Sequence, residues 1–262
     1  MESYSIGRVF SRAFELVKGT LTSVGLFVLL IQLANMALQW ALRQSIAIPA
    51  INPASPKDPF AALAIFQSGW YWLVVLVSLV LASFTYAGSI SGMLTYADRG
   101  KANLADCLSA GLAKMLPMLG LLFLWYLGVA AGWLLLVIPG IILITMWSAA
   151  MPVLMGEDLG VFASFGRSRN LTRGLRMNIF VTLLLFLIVI YVVLIGVILS
   201  AFGTNMMQFA AQAAQSPMLF LVMIPVGWLS SMALYSLVAS IYLEAVLVKE
   251  GGRSAHLVDV FD

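Results

Sequence analysis

The sequence predicts an all-α, polytopic membrane helix bundle, and three observations predict it. The 262 residues are 62% hydrophobic and only 10% charged, with a mean hydropathy of +1.03. A soluble domain is nearer half apolar and a quarter charged, and this composition would leave far too much apolar surface in water. Apolar residues fall in six runs, at 21–42, 70–96, 115–138, 141–155, 178–201 and 217–248, and a span needs about 20 mostly apolar residues. Finally, no run alternates apolar and polar residues at period two, which disfavours a β-barrel. Backbone groups in lipid must then be satisfied within helices, giving about six membrane-embedded helices in one domain.

Taken in order, residues 4–20 place Ile6, Val9, Phe10, Ala13, Phe14 and Val17 on one face and Arg8, Arg12, Glu15 and Lys18 elsewhere. That pattern predicts an amphipathic helix, suited either to the inner leaflet or to packing on the bundle. The first span is too long for a signal peptide's apolar region and is expected to stay as an anchor. Pro49, Pro53, Pro56 and Pro59 rule out a continuous helix in the next loop, and Trp70, Tyr71 and Trp72 mark a membrane boundary. The second span carries Gly88 and Gly92, the third Gly128 and Gly132; small residues four apart let helix backbones approach closely. Between these spans Asn103 is positioned to cap a short helix, and Pro117 to open the third span.

The third and fourth spans are expected to meet at Pro139-Gly140. From there to Gly156 about 15 residues give roughly 22 Å of helix, short of the ~30 Å hydrocarbon core. The hairpin should therefore turn inside the bundle, or continue past Pro152 as a kinked end; a turn at membrane depth has to be buried in protein or line a cavity. After Pro152, Glu157 or Asp158 is placed to begin a basic helix at 159–176 carrying Arg167, Arg169, Arg173 and Arg176. Pro225 and Gly227 suggest a kink in the last span, and Gln208, Gln212 and Gln215 form a polar face on a short helix before it. Glu244 is the one acid in apolar sequence. An intramembrane carboxylate is a functional candidate, and so near the inner end it is expected to pair with a cytoplasmic arginine or reach water.

With the amino terminus inside, Arg8, Arg12, Lys18, Arg99, Lys101, Lys114, the four arginines, Lys249 and Arg253 lie inside, and only Arg43 and Lys57 outside. Twelve against two is a strong positive-inside bias, so both termini are expected in the cytoplasm. The single cysteine, Cys107, excludes an intramolecular disulfide and any cysteine cluster, and it is expected to be a reduced, structural thiol. His256, the only histidine, lies in the polar tail.

A shift of 155 residues aligns Phe10 with Phe165, Arg12 with Arg167, Leu16 with Leu171, Lys18 with Arg173 and Gly19 with Gly174. The chain then reads as three units, each an interfacial helix followed by a two-span hairpin. The central stretch, V-I-P-G-I-I from Val137, Pro152-Val153, Glu157, Ser168 and L-T-R-G from Leu171, resembles the integral-membrane domain of glycerophosphoryl diester phosphodiesterases. Stand-alone bacterial inner-membrane proteins share this domain. The likeness covers about residues 110–180. At its end the chain departs from it, with Ile241-Tyr242-Leu243-Glu244 where a more basic segment is usual. In the fused enzymes the hydrolase is a separate soluble domain, with metal-binding carboxylates and histidines that these residues lack. The resemblance thus implies a membrane architecture in the bacterial inner membrane, and not phosphodiesterase activity.

Function is expected to be non-enzymatic, because one histidine, one cysteine and few intramembrane acids compose no hydrolytic constellation. No cofactor, metal or nucleic acid is expected. The expected partners are membrane lipids or a protein, held by Arg167, Arg169, Arg173 and Arg176 with Glu157 or Glu244 orienting one arginine, since guanidinium binds phosphate bidentately. The alternative is a transporter or channel for a small or lipidic molecule, using as a path the broken hairpin at Pro139, Gly140 and Pro152 and the polar second span with Ser83, Thr85, Ser89, Ser91 and Thr95.

Overall fold

The computed structural model describes residues 3–45, 69–202 and 217–251. The proline-rich loop, Lys57, the glutamine face, Arg253 and His256 lie outside the described residues, as do the side chains of Arg43 and Trp70. Nine helices are described: α1 (Ile6–Thr20), α2 (Val24–Ser45), α3 (Gly69–Arg99), α4 (Leu104–Leu135), α5 (Val137–Met146), α6 (Ala150–Gly156), α7 (Val161–Thr172), α8 (Arg176–Phe202) and α9 (Pro217–Glu250). There is no strand among them, and the fold is an all-α helix bundle. Five segments are long and apolar enough to cross a membrane: α3, α4, the α5–α6 pair, α8 and α9. The α1–α2 pair makes a sixth only as a broken span, bent by 76°. At that break Thr20 and Ser23 turn their hydroxyls back onto the carbonyls of Leu16 (2.7 Å) and Thr20 (3.4 Å), the competition by which such residues interrupt a helix.

Glycines set the closest contacts. A Cβ on Gly88 would stand 2.6 Å from the Cys107 carbonyl oxygen and 2.5 Å from the Phe27 ring, and one on Gly92 would stand 2.6 Å from Cys107 Sγ. The small-residue spacing read in the second span is thus where α3 meets α4 and α2. In the third span Gly128 lies under the Trp147 ring, and Gly132 packs on Gly140 with 3.0 Å between its Cβ position and the Gly140 Cα. These contacts clamp α5 against α4.

Several expected boundaries move. The short helix before the third span is not separate: α4 runs unbroken through Pro117, at the loss of one intrahelical hydrogen bond. Its 32 residues measure about 48 Å at 1.5 Å per residue, so its first turns reach beyond a ~30 Å core. The middle unit of the expected threefold repeat therefore has no interfacial helix of its own. The hairpin also reverses earlier than expected, at Leu136, whose extended backbone (φ −173°, ψ 157°) separates α4 from α5. Pro139 is the third residue of α5 and Pro152 the third of α6. A helix leaves those amides without an intrahelical acceptor, so proline fits there and breaks nothing. The fourth span consequently has 20 residues, Val137–Gly156, about 30 Å and enough to cross.

Nor is the turn central. Leu134 is 90% exposed and Leu136 69%, while Gly140 is buried under the Trp133 ring. The centre of the bundle is α6, where Ala150, Met151, Pro152, Val153 and Leu154 are all buried. Of the two placements open for α1, packing on the bundle describes Val9, Ala13, Leu16 and Thr20, which are buried. Phe14 points away, with Lys18 Nζ 4.4 Å over its ring. At the far end of α9, Gln32 Nε2 donates to the Ile224 carbonyl beside Pro225 (3.4 Å), and Trp228 Nε1 donates to Gly25 O (2.7 Å), tying α9 to α2.

Candidate functional site

One end of the bundle collects the ion pairs that join its helices. Arg8 of α1 reaches Glu244 of α9, Arg167 of α7 reaches Glu250 of α9, and Lys114 of α4 reaches Asp158 in the α6–α7 loop. Gly19 of α1 lies against Tyr96 near the end of α3. The sequence-level grouping of cations thus corresponds to a single surface.

Glu244 is fully buried, and its neighbours come from α1. Arg8 donates through Nε (3.0 Å) and Nη2 (2.6 Å) to Oε1, the Ser5 amide donates to the same oxygen (3.0 Å), and Arg12 Nη1 stands 3.6 Å from Oε2. Ser5 also caps α1, its hydroxyl accepting from the Arg8 amide at 3.4 Å. The carboxylate therefore sits at the positive end of the α1 dipole as well as beside two guanidinium groups. A buried charge persists only when paired and hydrogen-bonded in this way. Glu244 pins α1 to α9, and none of the four clustered arginines is its partner.

Arg167 is held on two sides. Its Nε donates to Glu157 Oε2 (2.7 Å) and its Nη2 to Glu250 Oε1 (2.5 Å), while the Tyr242 hydroxyl donates to Glu157 Oε1 (3.2 Å). The Glu157 hydrogen bond, more than the Glu250 one, raises the Arg167 pKa further. Glu157 thus orients Arg167, and both are committed to joining α6, α7 and α9. The expected capping role is absent: Glu157 ends α6, Gly160 precedes α7, and Asp158 adopts a left-handed backbone (φ 51°). Its hydrogen bond from Lys114 holds the Asp158 carboxyl below the usual aspartate range.

The other arginines differ. The basic helix ends at Thr172, so Arg173 lies in a turn and Arg176 opens α8. Arg169 and Arg173 are exposed and have no ion pair among the described residues; Arg176 is half-buried, with its Nε buried and lacking a hydrogen-bond partner there. Between Arg173 and Arg176 the turn passes through Gly174 at φ +83°, a conformation that favours glycine. Lys249 Nζ lies 3.9 Å from where a Gly174 Cβ would stand, and nothing else comes within 4 Å of that point.

Gly140 and Pro152 are packing positions and Pro139 a first-turn residue of α5, and Ser168, part of the central motif, has a structural role too: its hydroxyl donates to Met146 O (2.9 Å), as does that of Thr172 (3.2 Å). These bonds satisfy a carbonyl freed at the end of α5. The sequence groups Arg8 and Lys249 with the other cations, but it does not foretell that Arg8 and Ser5 hold Glu244 or that Lys249 stands beside Gly174. One signal was available: the 155-residue repeat pairs Arg12 with Arg167, and both motif arginines face acids on α9. The repeat's glycines are not equivalent, since Gly19 packs on Tyr96 while Gly174 makes a left-handed turn. Comparison with family models, with curated proteins and with solved structures finds no match to the chain.

Proposed function

We propose that this is a non-enzymatic protein of the bacterial inner membrane, with both termini cytoplasmic, that binds anionic lipid or an acidic protein partner at its charged end. One observation carries the reading. Two carboxylates occupy Arg167, whereas Arg169, Arg173 and Arg176 at the α7–α8 turn have no carboxylate partner among the described residues. Cations placed just inside a span gain about 1 kcal/mol each from an anionic leaflet, and guanidinium adds a planar fork that matches phosphate. Kinship with the membrane domain of glycerophosphoryl diester phosphodiesterases is part of the same proposal, supported by V-I-P-G and L-T-R-G in the central stretch. It brings architecture without hydrolysis.

The test is lipid retention by the purified full chain in discs containing phosphatidylglycerol and phosphatidylcholine. Replacing Arg169, Arg173 and Arg176 together with Gln should remove the enrichment of the anionic lipid, and Arg173→Lys with Arg176→Lys should remove part of it. Equal retention by all variants would reduce the arginines to a topology signal. A second reading, transport of a small or lipidic molecule, draws on the hydroxyls of Ser89 and Ser240, both buried without a hydrogen-bond partner among the described residues. Flux across liposomes that the Ser240→Ala variant abolishes would favour it.

A further inference from the structure

We infer that the α7–α8 turn is a headgroup site for a phospholipid ending in a phosphomonoester, whose acyl chains lie along α8; this rests on the lipid-binding reading above. The sequence cluster holds only arginines, but the fold adds Lys249 from α9, brought against Gly174. Arg173 and Arg176 flank that glycine on either side. The turn thus carries exposed Arg173 and half-buried Arg176 in its own sequence, with Lys249 Nζ from α9 standing 3.9 Å from the Gly174 Cβ position. The nearest acid in sequence, Glu250, is engaged by Arg167 at 2.5 Å. The amides of Arg176, Met177 and Asn178 add to the field, because α8 starts there and its first intrahelical bond is Ile179 N to Leu175 O.

The charge count selects the ligand class. A diester headgroup phosphate carries one negative charge, whereas a monoester carries about 1.5 to 2 near neutral pH and offers three acceptor oxygens. Arg173 and Arg176 provide forked donors and Lys249 a point charge, a set that a single negative charge would leave under-neutralised.

Geometry selects a lipid over soluble phosphate. The turn begins a 25-residue apolar span, so it stands at headgroup level. Beyond Thr182 no residue up to Ser200 is buried, and Leu184, Leu187, Ile188, Tyr191 and Val192 are exposed. Acyl chains entering below the turn would lie on that surface.

The experiment compares the full chain in phosphatidylcholine discs doped with either phosphatidic acid or phosphatidylglycerol, reading bound lipid by native mass spectrometry. Wild type should prefer phosphatidic acid by about fivefold or more, the factor one extra charge contact supplies. Lys249→Gln should erase that preference, Lys249→Arg should keep it, and Arg99→Gln, an equal charge change elsewhere, should leave it intact. Equal binding of the two lipids by wild type overturns this inference while the general anionic-lipid reading stands. Displacement of phosphatidic acid by equimolar glycerol 3-phosphate or inorganic phosphate overturns the lipid source. Failure to bind either lipid over phosphatidylcholine overturns both readings.

Discussion

Removing Arg8 would leave the Glu244 carboxylate buried with only Arg12, 3.6 Å away, and one amide as partners. Breaking one side of a buried pair costs about 3–5 kcal/mol, and the partial exposure of Arg8 (38%) places Arg8→Ala at the low end. Replacing both members, as in Arg8→Met with Glu244→Leu, should recover most of the loss, because no charge is then left in an apolar setting. Thermal unfolding in detergent checks this: a double variant less stable than Arg8→Ala would contradict a structural role for the pair. Asp158 behaves differently, being exposed. Its folded pKa is depressed by Lys114, so the contribution of the pair is present above the unfolded aspartate value and lost as pH falls through the lower folded value. Asp158→Asn should therefore differ from wild type at neutral pH and converge with it in acid, by a small amount. Such partnerships were illegible in the sequence. Nothing in the spacing of positions 8 and 244 foretells contact, and only the expectation that Glu244 meets a cytoplasmic arginine pointed towards it.

At the scale of elements, glycines divide into those under neighbours and those in open space. At Gly88 the obstacle is partly backbone, the Cys107 carbonyl oxygen, which cannot rotate away. Gly88→Ala should cost about 1–3 kcal/mol as overpacking. Gly166, inside α7 with nothing within 4 Å of its Cβ position, should gain up to about 1 kcal/mol on replacement by Ala, since helical glycine carries an entropic cost. Melting temperatures that moved in the same direction for both would refute this division. Helix existence was readable because hydropathy runs of span length have few alternatives. Boundaries near proline were not: at Pro117, Pro139 and Pro152 the residue lies within a helix or its first turn, and sequence does not distinguish those positions from a break. The split of the basic segment at Gly174 was likewise hidden among its arginines, although a glycine after a helical run is a stop signal.

For the whole molecule, the decisive feature is polarity between the two ends of the bundle. Contacts from α1 to α9, α4 to the α6–α7 loop and α7 to α9 bring the ion pairs that join the helices to one end, and at the other end of α4 the α4–α5 turn shows only apolar side chains to its surroundings. Sequence foresaw this asymmetry through the way its cations group between the apolar runs. It could not separate cations spent on internal bridges, such as Arg167, from those left facing outward, such as Arg173. If the outward group binds anionic lipid of the inner leaflet, the charged end must face the cytoplasm. Single cysteines at positions 57 and 173, probed in intact cells and inverted vesicles with a membrane-impermeant maleimide, test that most directly; native Cys107 is buried and can stay. Position 57 should react only from outside and position 173 only from inside. Labelling of position 173 in intact cells, or of position 57 only in inverted vesicles, would contradict this orientation.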